Sequence, residues 1–301
     1  MQLRRIIGSD EDGKEIKKIL IQGLKLSGRL IKRLRIHQGI CVNGKPVFTN
    51  YICQEGDIVT IDLATIEPVQ DVIPEYAELN ILYEDEYILA VYKPEGMLTH
   101  PSRSQFEGTL MGFVLGYISK QDIPSCHAVN RLDRYTSGIV LFAKNAYAKS
   151  IFSSTMQKAS KEYLAVVYGD VESKKGTIDL PIARLQVSSM LRSVSDDGAR
   201  AVTHYELLQN ANSLSVLRLK PETGRTHQLR VHCLAIGHPI IGDELYYTDE
   251  SKEVSDRLEI QGQMLHAGRL TFVHPITKDE IDICCEVKRK EMQSILREVG
   301  M

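Results

Sequence analysis

Residues 64–79 do more than any other stretch to limit what this chain can fold into. Pro68 and Pro74 stand there among Glu67, Asp71, Glu75 and Glu78, and no basic residue relieves the negative charge. Proline fixes φ and removes a backbone donor, so neither a helix nor a central strand runs through such a segment. The spacing predicts an extended linker over 66–79 between a small module, 1–65, and a large one, 80–301. A chain of 301 residues has material for one large core and one smaller one. No apolar run approaches the roughly 18–20 residues needed to span a bilayer. Met1 to Gly8 lacks the apolar core of a signal peptide, so a cytoplasmic protein without membrane contact is expected. Cys41, Cys53, Cys126, Cys233, Cys284 and Cys285 form no CxxC pair and sit mostly among apolar neighbours. They are expected to be buried thiols in a reducing compartment.

The small module reads as α/β. Ser27 is placed to cap a helix from Gly28 to His37. Arg29, Lys32 and Arg33 then share one face of that helix, and Leu30, Ile31 and Leu34 fall largely on another. Asn43-Gly44 signals a tight hairpin after Ile40-Cys41-Val42. Val59, Ile61 and Leu63 alternate with polar residues, as in a half-buried strand. The net charge is only −2, yet residues 14–35 carry eight Lys/Arg and one acid. Overall charge therefore does not drive polyanion binding, whereas a local patch of Arg29, Lys32 and Arg33 could grip a phosphate backbone. A solvated helix face is the plainer reading.

The large module alternates short strands and helices. Tyr87–Tyr92, Tyr163–Tyr168, Thr203–Leu208, Ser215–Leu219 and Leu270–Val273 are predicted strands. Ile139–Ala143 is continuously apolar and so should be a buried central strand. Ala146–Ala159 should be helical with Tyr147, Ile151 and Met156 inward, and Arg225–Ile236 is a predicted helix closed by Gly237.

Two basic clusters carry the chemistry. In His127–Gly138, Arg131 and Arg134 bracket one acid, Asp133. Neighbouring guanidinium groups favour a carboxylate's ionised form, which suits an acid acting on a polyanionic substrate. An Asx-type turn is the competing role. The second cluster is Thr223–His232, where Arg225 could pair with a carboxylate, clamp a phosphate or form a structural ion pair. Tyr163 could stack on a base or simply pack. His227 and His232 are five apart, about 140° around a helix, and no HExxH or GxSxG occurs. Gly39–Lys45 fits GxxxxGK, but Pro46 stands where magnesium would need a hydroxyl. No metal or cofactor is expected.

Together these segments resemble the RluA family of RNA pseudouridine synthases. The blocks that carry the resemblance are Lys93–His100, Asn130–Gly138, Lys161–Ala165, Thr223–His232 with His238–Asp243, and Leu265-His266-Ala267 ahead of His274-Pro275. Asn130 stands where the family's signature often has His. The resemblance implies an α+β fold, with a mixed, largely antiparallel central sheet and flanking helices. It implies that Asp133 is the catalytic acid isomerising uridine in structured RNA, ribosomal RNA favoured over tRNA, and that Arg225 pairs with it. Tyr163 would lie on the flipped base, Leu229 would wall the site, and Arg131 would fill the space the base leaves, with Arg134 also at the substrate. Residues 1–65 resemble a small RNA-binding domain first seen in a ribosomal small-subunit protein. A monomer with RNA as its partner is expected. A non-catalytic RNA-binding or ribosome-assembly protein on the same fold would lack Asp133 or Arg225, and both are present. A hydrolase cleaving the same bond would release the base.

Overall fold

Ser27 approaches in extended conformation and its Oγ accepts the Leu30 N–H, so the helix starts at Gly28 as its capping chemistry predicts. The computed structural model describes residues 2–63, 72–102, 105–123, 125–186 and 190–300, so 66–71 of the expected linker lies outside the described residues. The N-terminal part comprises β1 (Gln2–Ile6), α1 (Ile16–Gln22), α2 (Gly28–Ile36), β2 (Ile40–Val42), β3 (Lys45–Pro46) and β4 (Ile58–Asp62). Asn43 and Gly44 both have positive φ, 50° and 77°. That is the two-residue turn whose twist matches a hairpin, and it pairs β2 with β3. The sheet order is β1-β4-β2-β3.

The rest of the chain begins with β5 (Ile81–Glu84), β6 (Ile88–Lys93), α3 (Leu110–Ser119), β7 (His127–Ala128), β8 (Ser137–Ala143), α4 (Ala146–Thr155) and β9 (Ser160–Tyr168). Next come β10 (Lys175–Asp179), β11 (Ile182–Arg184), β12 (Arg192–Val194), β13 (Val202–Ala211) and β14 (Leu214–Pro221). It closes with α5 (Gln228–Ala235), α6 (Asp249–Arg257), β15 (Leu265–Val273), β16 (Glu280–Cys284) and α7 (Lys290–Glu298). The central sheet runs β10-β13-β14-β9-β15-β8-β6-β5, with β7 on β8 and β16 on β15. Its pairings are antiparallel except β15 with β8, which run parallel through His266–Ser137 and Ala267–Gly138. This is the expected mixed, largely antiparallel α+β architecture.

The apolar runs explain the layering. Val140 and Phe142 of β8, with Leu89 and Val91 of β6, pack under α3. Ile139, Leu141 and Ala143, with Ile88 and Ala90, pack under α4. Alternate residues thus feed two cores, which is why these strands read as continuous apolar stretches. The opposite face of α4, Ala146, Tyr147 and Ile151, joins Leu30, Ile31 and Leu34 of α2 in the N-terminal core. That contact fixes α2 against α4.

The structure departs from expectation at three points, after one addition to the linker. Within the expected linker, residues 72–79 form no helix or strand, and both Glu75 carboxylate oxygens accept the Gly108 N–H, at 3.0 and 2.8 Å, ahead of α3. A carboxylate there meets the positive end of the helix dipole. The helix of the second basic cluster starts at Gln228, not Arg225, because His227 turns into the left-handed region at φ 57°. Helix α4 stops at Thr155, four residues early, because the chain must turn to begin β9 at Ser160. Only Cys53, Cys126 and Cys233 are buried; Cys284 is exposed on a strand that alternates between core and solvent. No helix among the described residues is long and apolar enough to cross a membrane.

Candidate active site

Asp133 sits in the loop leading to β8, and its neighbours are clamped on both sides. Before it, the Thr99 hydroxyl donates to the Leu132 carbonyl at 3.0 Å and accepts the Leu132 N–H at 3.3 Å. After it, the buried Lys93 ammonium donates to the carbonyls of Arg134, Pro94 and Met97 at 2.9, 2.8 and 2.8 Å. Three carbonyls match the three protons of an ammonium. Burial pulls the Lys93 pKa down to about 7, while the charges of Asp133 and Glu95 oppose that fall. Asn130 staples the start of the loop: its amide donates to the Ile139 carbonyl and accepts the Leu141 N–H. The position where the family often has His therefore does structural work here.

The carboxylate's partner is Arg230, not Arg225. Arg230 Nη1 donates to Asp133 Oδ2 at 3.1 Å. Its Nε and Nη2 donate to Asp243 Oδ2 and Oδ1 at 2.6 and 2.7 Å, a bidentate pair in which the Asp243 side chain is fully buried. The expected Arg225–Asp133 pair fails for a geometric reason. Arg225 precedes α5, and its Nε turns to the Arg200 carbonyl at 3.0 Å. Gln228 fixes that turn by accepting the Arg225 N–H and the Thr223 hydroxyl. Starting the helix at Gln228 puts Arg230 in its first turn, facing Asp133.

His227 adds a second group near the acid, with Nε2 3.8 Å from Asp133 Oδ2. The Tyr246 hydroxyl accepts the Arg192 N–H and lies 2.8 Å from His227 Nδ1. Either ring tautomer can make this contact, and the one in which the hydroxyl donates carries its ring proton on Nε2, towards Asp133. Burial lowers the His227 pKa; Asp133 pulls it up, and Arg230 pushes it down.

Asp133 keeps 22% of its side-chain surface exposed, enough for a ligand to reach it. Tyr163, Arg225, Leu229 and Arg131 line one cavity with Asp133. An adjoining cleft of about 480 Å³ is lined by Leu98, His100, Arg131 and Arg134 and reaches the same acid. That volume lies within the usual range for ligand sites. Tyr163 is half-buried on β9; burial, helped by the Asp133 charge, pushes its pKa up to about 12. Arg134 braces the loop through Nε to the Gly96 carbonyl, 3.0 Å. Leu229 is 7% exposed and belongs to the core beneath the site. Arg29 and Lys32 are exposed and Arg33 half-buried on α2. No group of three or more His, Cys, Asp or Glu side chains is placed to hold a metal among the described residues.

Reading the sequence overlooked Arg230, Asp243, Thr99 and Lys93. All four lie inside the motif blocks, but nothing in their spacing shows which one faces the acid.

The family described as RNA pseudouridylate synthase matches residues 87–235. An RNA pseudouridine synthase of Bacillus subtilis is 38% identical over 98% of this chain and 96% of its own length. Ribosomal large subunit pseudouridine synthase D of Buchnera aphidicola is 31% identical over 88% of each chain. Among solved structures, human RNA pseudouridylate synthase domain containing 1 superposes with a TM-score of 0.57 and 27% identity, covering 70% of this chain and 84% of that one.

Proposed function

Because this chain belongs to the RluA family of RNA pseudouridine synthases, we propose that Asp133 is its catalytic carboxylate and that its substrate is ribosomal RNA. It is an isomerase acting on RNA. Pseudouridine formation breaks the bond between ribose C1′ and uracil N1, turns the base, and joins C1′ to C5. The proton lost from C5 is matched by one gained at N1, so mass is unchanged and nothing is oxidised.

The observation that carries the assignment is the shared guanidinium. Arg230 is held by Asp243 and offers its remaining Nη1 to Asp133 Oδ2. The acid is thereby oriented and its charge balanced, while Oδ1 is left for the nucleoside. The target base must leave its stack at a cost of a few kcal/mol. Stacking on Tyr163, worth about 1–3 kcal/mol, offsets much of that cost. Leu229 walls the pocket, Arg225 and Arg134 bind phosphates around it, and Arg131 enters the space vacated by the base.

Residues 1–65 act in this reading as a small RNA-binding module of the ribosomal-protein type, joined through 66–79 to the synthase at 80–301. The basic face of α2, with Arg29, Lys32 and Arg33, supports it. The name of the Buchnera relative, which specifies the large ribosomal subunit, supports the ribosomal substrate.

Carbodiimide mapping of pseudouridines in total RNA, from cells with and without this protein, tests both claims. Sites lost in large-subunit ribosomal RNA are expected, and sites lost only in tRNA would refute the substrate. Asp133→Asn should abolish isomerisation in vitro while RNA binding persists. Turnover near the wild-type rate, or release of free uracil, would overturn the assignment.

A further inference from the structure

The backbone of His227 lies in the left-handed region, φ 57°, at the residue before α5. A side chain with a Cβ adopts that conformation only where its surroundings impose it, and such residues cluster at functional sites. The His227 ring packs against Tyr246. The two rings meet edge to face with centroids 5.5 Å apart, and the Tyr246 hydroxyl lies 2.8 Å from Nδ1. That contact turns Nε2 to the acid, 3.8 Å from Asp133 Oδ2.

Tyr246 is itself buried and fixed from three sides. Its N–H donates to Asp243 Oδ1 at 3.0 Å, its hydroxyl accepts the Arg192 N–H at 2.8 Å, and its ring packs with Ile182, Ala201 and Val231. The Arg230 guanidinium sits over the ring, 4.9 Å from its centre, within the range of a cation–π contact. One buried side chain therefore touches both groups that face Asp133 Oδ2: Arg230 through its ring and His227 through its hydroxyl. The hydroxyl has a single proton to give, and burial raises its pKa, so it keeps that proton. Donated to Nδ1, it leaves the imidazole N–H on Nε2, aimed at an acceptor. The opposite tautomer would set a bare Nε2 lone pair against the Asp133 carboxylate, two acceptors facing each other.

We propose that Tyr246 is a positioning residue for the isomerisation: its hydroxyl holds His227 in the tautomer protonated on Nε2, and its ring supports Arg230, so that one side chain aims two donors at Asp133 Oδ2. The proposal rests on Asp133 being the acid that acts on uridine. A separation of 3.8 Å is too long for a hydrogen bond, and the Nε2–H closes on Oδ2 as the nucleoside binds.

The experiment combines spectroscopy and kinetics on the full chain. With heavy-nitrogen-labelled histidine, at a pH above the ring's titration, long-range proton–nitrogen spectra show which ring nitrogen of His227 carries the proton. The signal lost in His227→Asn identifies the residue, since Asn tolerates the left-handed backbone. A proton on Nε2 is expected, and a proton on Nδ1 would overturn the proposal. Tyr246→Phe removes the hydroxyl and keeps the ring over Arg230. Its kcat on an RNA substrate should fall on the order of tenfold, the worth of one hydrogen bond to a charged group, with KM within about twofold. Because the hydroxyl acts through His227, Tyr246→Phe combined with His227→Asn should be no slower than His227→Asn alone. Wild-type kcat in Tyr246→Phe, or losses that multiply in the double variant, would overturn the proposal. Thermal midpoints control for folding. Should the lost acceptor for Arg192 unfold Tyr246→Phe, the wild-type tautomer and the kcat of His227→Asn decide the matter alone. An Asp133→Asn protein that still isomerises uridine would refute the acid itself, so that failure is distinct from a failure of Tyr246.

Discussion

Arg230 lies between two carboxylates and treats them unequally: Asp243 receives two of its donors, and Asp133 receives one, at 3.1 Å. The buried pair with Asp243 fixes the guanidinium plane, and the third donor then fixes Asp133. Arg230→Lys keeps a charge but not this fork. Its kcat should fall on the order of 10²-fold, about 2.7 kcal/mol of barrier, with a smaller change in KM. Arg230→Met leaves Asp243 buried and unpaired, at a cost of about 3–5 kcal/mol in stability. Adding Asp243→Asn should restore much of the stability and none of the turnover. Steady-state kinetics and urea unfolding of the two single variants and the double variant read this directly, and turnover by Arg230→Met would contradict it.

Arg225, by contrast, is exposed and tied to a backbone carbonyl. Arg225→Ala should change stability by no more than about 0.5 kcal/mol. It should raise KM by several-fold, with kcat within about twofold, since it lines the cavity without touching the acid. A kcat loss as deep as that of Arg230→Lys would show that the two arginines share one role.

Lys93 gives the site a pH signature. Its pKa falls from 10.5 to about 7 on folding. Between those values the unfolded chain holds a proton that the native chain has released, so stability rises with pH across that window, by at most about 1.4 kcal/mol per pH unit. Below about pH 7 both states are protonated and the contribution is flat. Urea midpoints of wild type and Lys93→Met at pH 7, 8.5 and 10 isolate it, because other titrations cancel in the difference. The wild-type curve should climb towards the variant's as pH rises. Parallel curves would mean that the three carbonyls keep the ammonium charged.

The sequence made legible those features that short-range chemistry decides. Ser27 capped its helix, Asn43-Gly44 made its hairpin, and the apolar run Ile139–Ala143 became a strand buried on both faces. The motif blocks pointed to Asp133, Tyr163 and Leu229, and these do share one cavity. Arg225 could not be told from Arg230 in the same way, because the choice depends on where the helix begins. That is set by the left-handed turn at His227 and by Gln228 reaching across to Val202 and Thr203. Glu75 read as a linker acid because its receptor, the start of α3, lies more than thirty residues away. In each case the deciding partner was distant in the chain.

Gly138 carries the remaining prediction, because it joins the fold to the site. It pairs with Ala267 in the parallel junction of β8 and β15 and with Lys93 across β6, five residues after Asp133. Its φ of +117° is closed to ordinary side chains, and a Cβ there would overlap the Ala267 backbone. Gly138→Ala therefore meets both torsional strain, about 1–3 kcal/mol, and a clash that only a shift of β8 against β15 relieves. The same shift would move Lys93 and the Asp133 loop it anchors. A displacement near 1 Å at a reacting group can cost about 10²-fold in rate. At a temperature where the variant is still folded, kcat should thus fall far more than the change in melting temperature implies. A Gly138→Ala protein with wild-type melting and turnover would show that the junction has room to spare, and that the loop is held by Lys93 and Thr99 alone.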